Sequence, residues 1–157
     1  GSAIRMTLHT DYALRMLIYL ATKQGAPCTV SDVAETYGLS RNHLLKVARR
    51  LGQLGAVTTL RGRAGGIALA RAPEQIGLGT IIRGMEESLA LVECMGTGES
   101  ACVLTPACRL KGVVKEALDA YLAVFDRYSL ADLVTNRQTL AGLLGFGAEA
   151  PMAITPG

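Results

Sequence analysis

The stretch that most limits how this chain folds is TVSDVAETYGLSRNHLLKVARRLGQLGAV, residues 29–57, followed at once by TTLRGRAGGIALAR. Thr29 through Asp32 reads as a helix start, and Val33, Ala34 and Tyr37 form one apolar face. Gly38 suits the left-handed conformation that closes a helix, and Ser40 suits the cap that opens the next. The second helix is expected from about Arg41 to Gly52, with Leu44, Leu45, Val47, Ala48 and Leu51 inward. Two short helices joined by Gly-Leu-Ser give a helix-turn-helix pattern. An ordinary helical hairpin would share it. The outer side chains decide against that, because Arg41, Asn42, His43 and Lys46, with Arg49 and Arg50 beyond, are the types that contact phosphates and base edges.

Val57–Leu60 and Ile67–Ala70 read as two strands around the turn Arg61-Gly-Arg-Ala-Gly-Gly. A hairpin directly after paired helices is a wing, and its tip presents Arg61 and Arg63 to a minor groove or its phosphates. Upstream, Asp11–Thr22 has the broad apolar face of a buried helix, with Thr10 or Asp11 as its cap. Downstream, Leu78–Met85 is a short helix with Ile81 and Ile82 inward. A long helix follows from about Ala107 to Arg127, and apolar residues line most of its circumference. A face that wide needs two surfaces to cover it, the parent domain and a partner subunit. Ser129 and Asp132 form a capping-box pair.

Charge divides the chain. Residues 1–71 carry ten Lys/Arg against three Asp/Glu, net +7, and residues 72–157 carry six against ten, net −4. A basic amino-terminal half suits a polyanionic partner, double-stranded DNA. No apolar run reaches the ~18 residues of a membrane span, and the start AIRMTLHTDYALR lacks the apolar core of a signal peptide. The expectation is a cytoplasmic protein without a membrane partner, in which thiols stay reduced. No Walker loop, no G-x-G-x-x-G after a strand and no nucleophile–base pair is present, so no catalytic residue is assigned and the chain is not expected to be an enzyme.

Three of the four cysteines, Cys94, Cys102 and Cys108, fall in CMGTGESACVLTPAC with spacing C-x7-C-x5-C. Burial as small residues, a regulatory disulfide and metal binding all compete for them. Structural zinc usually uses closer cysteine pairs. An iron–sulfur cluster suits the spacing best, since it is larger than one ion and takes thiolate ligands. The fourth ligand stays open among Glu93, Glu99, His9 and Asp11, while Cys28 reads as a bystander.

Taken together, TLHTDYALR, GLSRNHL, RGRAGGIALAR and ALVEC…C…CRL resemble the iron–sulfur winged-helix transcription regulators over residues 4–134. ALVEC, CRLKG and YSLADLV bring the chain nearest to the NsrR-like, nitric-oxide-sensing members. Lys111 stands where IscR-like members have a histidine. The resemblance implies a mostly α fold with a small β wing, a winged helix-turn-helix domain plus a long dimerisation helix. It implies a homodimeric repressor that binds a DNA operator and responds to nitric oxide. It also implies an iron–sulfur cluster, four-iron in preference to two-iron, on Cys94, Cys102 and Cys108, with Asp11 of the other subunit as fourth ligand. An iron-responsive, RirA-like regulator of iron homeostasis and a cluster-free thiol redox switch are the alternatives. The expected division is residues 4–75 for DNA binding, 76–134 for the cluster loop and dimerisation helix, and 135–157 for a flexible tail.

Overall fold

The computed structural model describes residues 7–24, 26–60, 66–86 and 109–146. Seven helices and one hairpin lie in these residues: α1 (Leu8–Thr22), α2 (Val30–Tyr37), α3 (Arg41–Gln53), β1 (Val57–Thr59), β2 (Ile67–Leu69), α4 (Leu78–Met85), α5 (Leu110–Asp126), α6 (Leu130–Leu133) and α7 (Arg137–Leu143), with a 3-10 turn at Pro73–Gln75. The fold is mostly α with a small β wing, as the sequence implies. No described helix is long and apolar enough to cross a membrane.

Helix α1 is the centre. Ala13, Met16 and Leu17 are fully buried, and they share one core with Val33 of α2, Leu44, Val47 and Leu51 of α3, Ile81 and Met85 of α4, and Leu130 and Val134. Helix α1 begins at Leu8 and is capped by Thr7, whose hydroxyl accepts from the Thr10 amide, so the expected start at Asp11 with a Thr10 or Asp11 cap is corrected. The reason is distant in sequence. Glu86 accepts from the Thr7 amide at 3.1 Å and the Thr7 hydroxyl at 2.9 Å, and also from the buried Thr10 hydroxyl. A carboxylate at the positive end of a helix is favourable, and this one comes from the end of α4.

The paired helices follow local chemistry. Thr29 and Asp32 form a reciprocal capping box on α2. Gly38 closes α2 at φ 68°, and Ser40 caps α3 by accepting from the His43 amide. The hairpin pairs Val57 with Leu69, Thr58 with Ala68 and Thr59 with Ile67 in antiparallel register. Cys28 bridges to the other side of β2, exchanging backbone hydrogen bonds with Ile67 at 3.1 and 2.7 Å. Gly66 is required there. Its φ is 132°, and a Cβ would lie 3.1 Å from the Cys28 carbonyl oxygen.

Helix α5 docks on α4 through Leu118, Leu122, Ile82, Tyr121 and Phe125. A bidentate pair from Arg83 to Asp126, at 2.5 and 2.9 Å, fixes the contact. Its first described turn starts at Leu110, and the expected beginning at Ala107 lies outside the described residues. The other face of α5 is exposed, with Leu110, Val113 and Val124 between 43% and 62% exposed.

The expectation of a flexible tail from residue 135 is corrected for residues 137–146. Helix α7 buries Ala141, and Phe146 sets its ring edge-on to Tyr19 at 5.0 Å and beneath the Lys23 ammonium at 4.5 Å. Aromatic burial and a cation over the ring supply the attraction that a reading of glycine content missed. Leu45, expected inward on α3, is 39% exposed.

Candidate nucleic-acid interface

Helix α3 presents its polar side on the surface, with Arg41, Asn42, Lys46 and Arg49 all exposed. They are not equivalent. Arg41 donates from Nε to the Ser31 hydroxyl at 2.9 Å, which aims its guanidinium along the start of α2. His43 turns toward α1, where its ring lies 6.5 Å from His9 and 6.4 Å from Tyr12. Arg50, also exposed, is turned toward α4, donating to the Gly84 carbonyl at 3.0 Å and to Gln53 at 2.9 Å. The outermost stripe is therefore Asn42, Leu45, Lys46 and Arg49, spaced i, i+3, i+4, i+7 as one helix flank requires. Leu45 is the member that a search for polar side chains passes over, since it reads as a core residue. The spacing itself was the available signal.

Between α3, the start of α2 and the wing lies an open groove of about 570 Å³, bordered by Ser31, Arg41, Leu45, Arg49, Thr59 and Leu60. Its shape and cations suit one edge of a duplex. Arg61 and Arg63, the expected wing-tip contacts, lie outside the described residues.

The expected cluster ligands divide in the same way. Cys94, Cys102 and Cys108 lie outside the described residues, and among the described ones no three His, Cys, Asp or Glu side chains come together. Asp11 is described. It sits on the exposed side of α1, and both carboxylate oxygens accept from Arg15 at 3.2 Å. Arg15 in turn stands 5.9 Å from the Tyr37 ring, and the Tyr37 hydroxyl donates to the Arg15 carbonyl at 2.8 Å. Burial pushes the Tyr37 phenol up to about 12, and the nearby Arg15 charge only partly offsets this. Cys28 is buried, and desolvation, with the Asp32 carboxylate adding to it, pushes its thiol up to about 11. The thiol form is therefore favoured at neutral pH.

The family described as Rrf2, iron-dependent transcriptional regulator, matches residues 6–136. The chain belongs to the Rrf2 family. Among Rrf2 relatives, the HTH-type transcriptional regulator NsrR of Bacillus subtilis is 49% identical over 142 residues, 90% of this chain and 97% of that protein. IscR of T. potens superposes with a TM-score of 0.65 at 26% identity, covering 88% of this chain and 91% of that one. The oxidised form of Staphylococcus aureus CymR superposes at 0.67 and 25% identity, covering 84% and 97%. This Rrf2 chain is thus a DNA-binding transcription regulator and not an enzyme, with the winged-helix fold of its relatives.

Proposed function

We propose that this protein is a cytoplasmic, homodimeric repressor. It holds an iron–sulfur cluster, four-iron in preference to two-iron, on Cys94, Cys102 and Cys108, with Asp11 of the partner subunit as fourth ligand, and it leaves its operator when nitric oxide arrives. The observation that carries the sensing part is the thiol trio itself, inserted between α4 and α5 in a chain where Glu86 and Gly84, just before the insertion, hold both α1 and α3. The donor set fits the group: thiolates are what such clusters take, and Asp11 is a surface carboxylate rather than a buried one. When bound, the cluster supplies irons that react with nitric oxide.

The chain's own residues do the transmitting. Glu86 grips the amino end of α1 through Thr7 and Thr10, the latter next to Asp11. Two residues earlier, the Gly84 carbonyl receives Arg50 of the reading helix. Both contacts lie within three residues of the start of the thiol-bearing sequence, at residue 87. Asp11 also has a competing partner within its own protomer, Arg15, so its release from one role is met by the other. In the DNA-bound form Arg41, Asn42, His43 and Lys46 face the major groove, His43 from the α1 side, and Arg61 and Arg63 reach the minor groove or its phosphates. The family description, iron-dependent, favours a second reading in which the same ligands report iron supply instead.

The direct test is anaerobic iron and sulfide analysis. Wild-type protein is expected to be brown with a stoichiometric cluster, and Cys102→Ala to be colourless. Equal iron in both would remove the cluster from these thiols. A cluster lost to a chelator without effect on DNA binding, but nitrosylated with release of DNA, separates the nitric oxide reading from the iron one.

A further inference from the structure

We infer that Leu45 is a specificity-determining residue that contacts the C5-methyl group of one thymine in each operator half-site. This rests on the reading that α3 enters the major groove. Leu45 is 39% exposed on a helix whose other large apolar side chains, Leu44, Val47 and Leu51, are fully buried. It stands in the outermost stripe, between Asn42 on one side and Lys46 and Arg49 on the other. It borders the open groove opposite Leu60 of the wing, itself 38% exposed, while Arg41 and Arg49 line the same groove.

The occupant follows from these neighbours. A leucine ringed by cations on a basic flank is poorly placed to bind an apolar protein surface, because the arginine and lysine heads would be stripped of water for no partner. Against a duplex, the same cations meet phosphates. Among major-groove base edges, thymine alone offers a methyl group; the others offer hydrogen-bond donors and acceptors, with only a bare C5–H on cytosine. An aliphatic side chain there leaves those polar groups dry and unpaired unless it lies over that methyl. Asn42 and Lys46 are then left to hydrogen-bond the adjacent bases, and Leu45 fixes the register between them.

Deoxyuridine tests the contact, since it lacks only the C5-methyl and pairs as thymidine does. The preferred duplex is first selected from a random library by anaerobically prepared, full-length protein. Each thymine of the half-site is then replaced singly by deoxyuridine. One position per half-site is expected to weaken wild-type binding by about 4-fold, the equivalent of one buried methylene. Leu45→Ala is expected to bind thymine and uracil equally at that position, and Leu45→Met, which keeps an apolar tip, to retain the preference. Tolerance of deoxyuridine at every position overturns the inference, and so does a preference that survives in Leu45→Ala. If the protein selects no sequence at all, the DNA-reading role of α3 fails together with this contact. Selection without any thymine preference removes the contact alone.

Discussion

Cys28 is the one free thiol among the described residues, and burial decides its chemistry. In the unfolded chain it ionises near the ordinary value of 9.0, whereas the folded protein holds the proton to about 11. The native state thus binds this proton more tightly. The group's contribution to stability is complete below pH 9 and is lost as pH rises through about 11. Urea titrations on either side of that window should show wild type losing more stability than Cys28→Ala, and equal losses would mean the thiol is not buried as described. Asp11 is the opposite case, a carboxylate on the surface with a pair that water screens. That pairing is weak enough to give way to the ligand role proposed for Asp11. His43, grouped at first with the base readers, keeps company with His9 and Tyr12, so α1 and α3 share it.

At the scale of elements, the end of α4 matters most. Glu86→Ala removes an acceptor that serves an amide and two hydroxyls at the start of α1. Loss of hydrogen bonds to a charged group should destabilise the fold by about 1.5–3 kcal/mol, measured by urea denaturation. A change within about 0.5 kcal/mol would place Glu86 among ordinary surface residues. This contact was invisible in the sequence because its partners stand 79 positions apart. By contrast, the bounds of α2 and α3 were legible, since Thr29, Asp32, Gly38 and Ser40 act within one turn of themselves. Leu78–Met85 was legible for a different reason: its apolar face is short and regular. Leu45 was misread because a buried stripe at 3.6-residue spacing is narrower than a run of leucines suggests; the neighbouring Leu44 takes the core position. Helix α7 was missed because Tyr19 and Lys23 hold Phe146 from more than a hundred residues away. Of the DNA-reading stripe, the polar members could be read from their types, while the turn of Arg50 toward α4 depends on a carbonyl of that helix.

For the whole molecule, the proposed dimer points to the open side of α5. Val113, Ala117, Ala120 and Val124 recur at alternating spacings of four and three, the seam of a paired helix, and all are exposed. Two copies joined there would hold two α3 helices at a fixed separation, as half-sites about one helical turn apart require. Replacing both Val113 and Val124 by Glu should give a folded monomer in sedimentation analysis, whereas a persistent dimer would place the interface elsewhere. On the proposed function, the two halves of the chain, net +7 and net −4, would divide the work between a basic reader and an acidic sensing and pairing part. The measurement that bears most directly on this coupling is anaerobic operator binding by cluster-loaded protein before and after stoichiometric nitric oxide. A coupling of about 1–3 kcal/mol gives an expected loss of affinity of roughly 5- to 150-fold, absent in Cys102→Ala. Unchanged affinity in the wild type, with the cluster shown to have reacted, would contradict the account.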